Sequence, residues 1–100
     1  MSEERVSIEQ LLESVAMSKS ISLVVSSKDS CFELTVPDLQ ARDIEHIPER
    51  QWIAINKVSC LIPVTDQITI IKTQDFDNAT LEIYTIYEKS IKVSFMIRSW

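Results

Sequence analysis

The 100-residue sequence contains no glycine, whereas average usage would supply about seven. Only glycine adopts positive φ angles and approaches a ligand with its backbone at no steric cost. The glycine-rich loops that cradle phosphates and dinucleotides, and the nucleophile elbow of α/β-hydrolases, all depend on it. The missing glycine therefore excludes P-loop, GxGxxG and GxSxG chemistry.

The length and composition predict one ordinary globular domain. A chain of this size has room for a single core, and 45% hydrophobic with 25% charged residues is typical of globular proteins. We therefore treat residues 1–100 as one domain. The polar, acidic segment Ser2–Arg5 follows Met1 without the apolar region of a secretory signal, and no apolar run approaches the roughly 20 residues that span a bilayer. We expect a cytoplasmic protein that does not bind membranes.

The net charge of −5 is unevenly placed along the chain. Residues 1–50 hold ten acids and five bases, whereas residues 51–100 hold five of each. Direct binding to nucleic acid requires a basic stripe that can neutralise phosphates. This charge distribution predicts that the chain does not bind nucleic acid directly, and it favours a protein partner with a basic surface.

The N-terminal region has the pattern of an amphipathic helix. Ser7 and Gln10 form the sequence signature of a capping box. After them, apolar residues recur at helical spacing on one stripe, at Ile8, Leu11, Leu12, Val15 and Ala16. We predict a helix that begins after Ser7 and ends near residues 17–20.

The last quarter of the chain alternates apolar and polar residues, which predicts two strands broken at 88–90. The apolar odd positions are Leu81, Ile83, Tyr87, Ile91, Val93, Phe95 and Ile97. A three-residue loop would set Tyr87 opposite Ile91 and Ile83 opposite Phe95, so that the odd positions share one buried face. The even positions would then form a second, partly apolar face.

Other segments also favour strands. Residues 21–26 and 31–36 alternate around a polar connection, with odd positions facing even ones, and Pro37 is expected to end this pair because it lacks a donor for the ladder. Residues 51–63 fit either a helix or two strands around Asn56-Lys57, and their β-branched content favours strands. The predicted fold class is α+β, with the N-terminal helix packed on a mostly antiparallel, meander-like sheet.

The segment 38–51 is acidic and irregular. Asp38 could cap a short helix through Ile44. Asp43, Glu45, His46 and Glu49 lack helical ligand spacing, so we interpret them as a solvated loop and expect neither metal nor cofactor. Cys31 and Cys60 have no paired spacing and are interpreted as buried thiols.

These patterns predict a binding protein rather than an enzyme. Aromatic residues and Met are enriched in interfaces, and acidic residues complement a basic target. The candidate interface residues are Tyr84, Ile86, Met96, Trp100, Asp38, Asp43, Glu45 and Glu49. The favoured class blocks or modulates a protein partner, as immunity proteins, antitoxins and phage-type inhibitors do. The alternative is a structural or adapter subunit, including a homodimer through the C-terminal sheet; a third option is an enzyme that uses a Cys with His46.

Overall fold

The computed structural model describes residues 2–27, 33–65, 68–74, 80–88 and 91–99. In chain order the elements of this part are β1 (Ser2–Val6), α1 (Ile8–Ala16), β2 (Ser18–Ser27), β3 (Glu33–Leu39), β4 (Ile44–Ile47), β5 (Trp52–Ile55), β6 (Cys60–Pro63), β7 (Thr69–Gln74), β8 (Leu81–Glu88) and β9 (Ile91–Ser99). Two short 3-10 helices, Ala41–Asp43 and Pro48–Arg50, flank β4. In the described part of the chain, no helix is long and apolar enough to cross a membrane.

The strands form two antiparallel sheets. Six strands pair in the order β1-β7-β8-β9-β2-β3, and three pair in the order β4-β5-β6. The coarse prediction of a single α+β domain with one helix and mostly antiparallel strands is confirmed, although the domain is mostly sheet. The strand β1 was not predicted, because its five residues are mostly polar and its pairing with β7 joins distant parts of the chain.

The capping box that the sequence predicts is present at the start of α1. The Ser7 amide donates to Gln10 Oε1 at 3.0 Å, and the Gln10 amide donates to Ser7 Oγ at 3.3 Å. Leu11 and Val15 are buried on the apolar side of the helix. The helix ends at Ala16, just before the predicted range of 17–20, and β2 begins at Ser18.

The hydrophobic core lies between the two sheets and the helix. The six-stranded sheet supplies most of it, through Val6, Ile21, Leu23, Val25, Val36, Leu39, Ile70, Tyr84, Ile86, Val93, Phe95 and Ile97. Leu11 and Val15 of α1 belong to the same buried cluster, as do Ile53, Ile55 and Ile62 of the three-stranded sheet. Each sheet therefore has one face in the core, and its other face points outward.

The β8–β9 hairpin forms as predicted, but in a different register. Tyr84 lies opposite Phe95, and Glu88 lies opposite Ile91. The predicted pairing of Tyr87 with Ile91 is wrong by one residue, which turns β8 over. Tyr84 and Ile86 face the core, while odd positions such as Ile83 face outward. Alternation could not decide this, because both sets of positions in β8 are rich in apolar residues.

The β2–β3 pair sets odd positions opposite even ones, as predicted, with Leu23 opposite Val36. Its connection lies outside the described residues. The prediction that Pro37 ends the pair is wrong: β3 continues to Leu39. This strand is at the edge of the sheet, where a proline without an N–H group is tolerated. The register shifts between Ile21 and Leu23 of β2.

The segment 38–63 forms the three-stranded sheet. The predicted helix from Asp38 through Ile44 is wrong, because only Ala41–Asp43 is helical and β4 follows immediately. The strand interpretation of 51–63 is confirmed: β5 and β6 pair, with Ile55 opposite Cys60. β-Branched residues fill this pleated, half-buried sheet, which is where they pack best.

Three described residues adopt positive φ without being glycine. They are Asp38 (φ 59°), Gln51 (φ 56°) and Ser59 (φ 54°). Left-handed geometry costs a non-glycine residue roughly 1–2 kcal/mol. The glycine-free chain therefore carries backbone strain at three places. They are Asp38 in the edge strand β3, Gln51 just before β5, and Ser59 just before β6.

Candidate protein interface

The residues predicted as an interface do not form one surface. Tyr84 is 2% exposed and Ile86 is fully buried, so neither is accessible to a partner. Met96 is partly exposed on the opposite face of the same sheet, because it pairs with Ile83. The prediction that Tyr84, Ile86 and Met96 share an exposed face is wrong. Trp100 lies outside the described residues.

The four predicted acidic residues separate into three places. Asp38 and Met96 line the same depression of about 360 Å³ on the six-stranded sheet. Asp43 has a structural role, because its Oδ2 accepts a hydrogen bond of 2.9 Å from the Gln40 amide at the start of a 3-10 helix. Glu45 and Glu49 are exposed on and beside the three-stranded sheet. Of the eight residues, only Asp38 and Met96 come together in the same described cavity.

The outward side of the three-stranded sheet is an exposed apolar surface, which we call the Trp52 face; it consists of Glu45, Ile47, Trp52, Leu61 and Pro63. Trp52 lies between Ile47 and Pro63 in adjacent strands, and Ala54 lies between Glu45 and Leu61. Leu61 is 51% exposed. The face therefore combines an aromatic anchor with aliphatic neighbours and a carboxylate at its border.

Arg50 covers part of the Trp52 indole. Its guanidinium carbon is 5.9 Å from the ring centroid, within the range of a cation–π interaction. The indole Nε1 is buried and has no acceptor among the described residues, which ordinarily costs about 1–3 kcal/mol. The contact with Arg50 therefore holds the Trp52 ring in position, while the N–H group of the ring lacks a hydrogen-bond acceptor in the part of the chain that the structure describes.

The chain turns sharply just before Trp52. Pro48 occupies the first position of a 3-10 helix, where its missing N–H is not needed. Gln51 in left-handed geometry then donates its amide to the Pro48 carbonyl at 3.2 Å, and its own carbonyl accepts from the Val64 amide at 2.8 Å. This turn fixes Trp52 at the start of β5. Sequence reasoning missed Trp52 and Leu61, although the alternation of Leu61 and Pro63 with buried Ile62 was a usable signal.

A polar cluster fills part of the cleft between α1 and the six-stranded sheet. Ser14 Oγ is 2.6 Å from the Tyr84 hydroxyl, and Lys72 Nζ is 2.8 Å from Glu82 Oε2. The hydrogen bond with Glu82 raises the pKa of Lys72. Desolvation by burial lowers this pKa, but the nearby charges of Glu82 and Glu4 raise it further. The Ser14–Tyr84 hydrogen bond joins α1 to the sheet. The contact of Lys72 with Glu4 joins β1 to the same sheet.

The structure also bears on the thiol–histidine option. His46 and Cys60 lie on opposite sides of β5 and two residues apart in register, which places their Cα atoms roughly 12 Å apart by strand spacing. Burial raises the pKa of the Cys60 thiol, so it is less nucleophilic at neutral pH. A Cys60–His46 pair is therefore not formed. Cys31 lies outside the described residues.

Comparisons with known proteins give no family assignment. No protein-family model matches the chain, and neither a curated protein nor a solved structure proves similar to it.

Proposed function

We propose that this chain is a non-catalytic binding protein that blocks or modulates a protein partner, in the manner of immunity proteins, antitoxins and phage-type inhibitors. The observation that supports this proposal is the Trp52 face, where a partly buried indole stacks with Arg50 beside the half-exposed Leu61. Trp and Arg are the residue types most enriched among interface hot spots. The partner would bury Leu61 and the exposed edge of Trp52.

The Trp52 face suits a tight, pre-organised contact. Its side chains project from paired strands whose other side is in the core, through Ile53 and Ile62. The loss of conformational freedom is a main cost of association. Side chains fixed in this way lose little of it on binding. The three-stranded sheet thus presents its anchors in a nearly fixed arrangement.

The charge of the chain favours a basic partner. Glu45 within the Trp52 face and Glu49 beside it are both exposed, and the whole chain has a net charge of −5. Long-range attraction accelerates encounter with a positively charged surface and weakens with salt. We therefore expect the partner to present basic groups around an apolar pocket that receives Trp52.

Affinity capture from a native extract tests this proposal. The tagged wild-type chain is compared with Trp52→Ala/Leu61→Ala, and with Met17→Ala as a matched control, because Met17 is 68% exposed on another part of the surface. We expect the wild type and the control to retain one stoichiometric partner that the double variant loses. If the double variant has an unchanged circular dichroism spectrum and retains that partner, the Trp52 face is not the interface.

A structural or adapter subunit remains the second candidate function. It is favoured by a separate surface, the outward side of the six-stranded sheet, where Met96 and Ile83 lie side by side. Binding steered by charge weakens steeply as salt is added, whereas apolar association does not. A salt titration of the captured complex therefore distinguishes the two functions.

A further inference from the structure

The outward side of the six-stranded sheet carries an apolar surface that crosses four neighbouring strands. We call it the outer sheet face and define it by Val24, Ile71, Leu81, Ile83, Tyr87 and Met96. Ile83 lies opposite Met96, and the other members are placed on the same side by strand register. Tyr87 is 39% exposed, and the other five are partly buried.

The middle of the outer sheet face has no charged residue. Its two central rows run across β7, β8, β9 and β2, and they comprise Thr73, Ile83, Met96 and Ser22 in one row and Ile71, Thr85, Ser94 and Val24 in the other. Thr85 Oγ1 and Ser94 Oγ are 3.3 Å apart, so their hydroxyl groups can satisfy each other. An antiparallel sheet face that meets water is normally polar. Aliphatic side chains, together with hydroxyl groups that hydrogen-bond to each other, are instead typical of a surface that another protein can cover.

The charged residues lie around this centre and nearly cancel. Among the residues that the structure describes, the bases are Arg5, Lys19, Lys92 and Arg98, and the acids are Glu3, Glu33 and Asp38. Four bases against three acids give the face a small positive balance, whereas the whole chain has a net charge of −5. The described charges of this face therefore add little repulsion between two copies of an otherwise acidic chain.

The outward side of the whole six-stranded sheet, which includes the charged rim around the outer sheet face, has the size that a stable dimer requires. Five inter-strand spacings of about 4.8 Å give a width of roughly 24 Å, and strands of eight and nine residues give a length of roughly 28 Å. The footprint is then roughly 700 Å², close to the ~800 Å² per partner of a standard interface. Two such sheets can pack face to face at about 10 Å.

The edges of the same sheet are poorly suited to a second copy. The edge strand β1 carries Glu3, Glu4 and Arg5, and the edge strand β3 contains Pro37 followed by the positive φ of Asp38. Charges, proline and backbone irregularity at an edge all oppose the addition of another strand. Association of two copies is therefore directed to the face of the sheet.

We propose that two copies of this chain pack through their outer sheet faces to form a two-fold symmetric dimer. In such an interface each copy contributes the same patch, with Ile83 and Met96 near its centre. The Trp52 face lies on the other layer of the domain, so the dimer presents two Trp52 faces on opposite sides. Self-association is thus independent of the partner binding proposed above.

Sedimentation equilibrium of the purified full chain over a wide concentration range tests this proposal. We expect the mass of a dimer for the wild type, with little change at high salt because the contact is apolar. The variant Ile83→Lys/Met96→Lys buries two unpaired charges per copy and should raise the dissociation constant at least about tenfold. The control Met17→Lys/Val58→Lys places the same charges at exposed positions elsewhere and should remain a dimer.

Two results would overturn the dimer: a monomeric wild type at every concentration, or a folded lysine variant as dimeric as the control. Should the lysine variant fail to fold, Ile83→Ala and Met96→Ala are measured in the same way, and they should weaken association while Met17→Ala does not. Alanine variants that leave the dissociation constant unchanged would equally contradict the proposal. A monomeric wild type that still captures its partner through Trp52 would leave the proposed function intact.

Discussion

Tyr84 lies directly opposite Phe95 in the β8–β9 hairpin, and both side chains are buried in the core. This pairing decides which side of the six-stranded sheet is packed and which is open. With the register shifted by one residue, Ile83 and Tyr87 would fill the core and Tyr84 would face outward. The composition of the outer sheet face therefore depends on this one relationship.

The hairpin register predicts opposite outcomes for two neighbouring alanine substitutions. Ile86→Ala removes a fully buried side chain and should lower the free energy of unfolding by about 2–5 kcal/mol. Tyr87→Ala acts at a position that is 39% exposed in the single chain, where Lys92 lies 5.9 Å from the ring centroid. It should cost about 1 kcal/mol or less when both variants are measured at a protein concentration that keeps the chain monomeric, since Tyr87 belongs to the outer sheet face. Urea unfolding of both variants measures the difference. The reverse order would mean that the odd positions of β8 face the core.

The ion pair between Lys72 and Glu82 predicts a loss of stability in alkaline solution. The hydrogen bond with Glu82 raises the pKa of Lys72 in the folded chain above its unfolded value of about 10.4. Its stabilising contribution is therefore complete below that unfolded value and is lost as the pH rises through the folded pKa.

The variant Lys72→Met isolates this contribution, because it cannot titrate. As the pH rises above about 10.4, the free energy of unfolding of the wild type should fall more steeply than that of Lys72→Met. The measurement is urea unfolding at a series of pH values in one buffer of constant ionic strength. Parallel curves for the two proteins would show that Lys72 gains nothing from Glu82 on folding.

The absence of glycine predicts that introducing one can stabilise the fold. Gln51 adopts φ 56° and ψ 47° before β5, a geometry that costs a non-glycine residue roughly 1–2 kcal/mol. Gln51→Gly should remove this cost and lose about 0.5–1 kcal/mol to the greater flexibility of the unfolded chain, a net gain of up to about 1.5 kcal/mol. Gln51→Val should be destabilising. Thermal unfolding would contradict the assigned geometry if valine were tolerated as well as glycine.

Cys60 is half-buried rather than fully buried as the sequence predicts, and this partial burial predicts slow modification at neutral pH. Desolvation raises the pKa of its thiol, so the thiolate fraction in the folded chain is lower than in the unfolded chain. In a Cys31→Ser background, iodoacetamide should alkylate Cys60 more slowly in buffer than in denaturant. Mass spectrometry measures the two alkylation rates. Equal rates would show that the thiol is fully accessible to solvent in the folded β5–β6 pair.

Local signals in the sequence were sufficient for some elements. The capping box of Ser7 and Gln10 identified α1, because its hydrogen bonds join residues three positions apart. Period-two alternation identified β2, β3, β8 and β9, because alternation along one strand is also a local signal; it did not identify β4, which the sequence analysis assigned to a solvated loop. It did not identify β1, whose polar residues are held partly by a long-range ion pair between Glu4 and Lys72 of 3.9 Å.

The candidate site was harder to predict, because neighbouring strands assemble it. The Trp52 face exists only because Ile47, Trp52 and Pro63 align across three strands. In the hairpin, apolar residues at both parities left the register undetermined, so Tyr84 and Ile86 were assigned to the wrong side. Composition indicated that an exposed apolar face would remain, but long-range pairing decided which residues it contains.

The central claim is that the chain acts by binding a protein through the Trp52 face. Hydrogen–deuterium exchange of the chain, free and in complex with the captured partner, tests this claim most directly. We predict slower exchange on binding in residues 44–63, with no comparable change in α1. Protection confined to α1 or to the six-stranded sheet, with 44–63 unchanged, would contradict it.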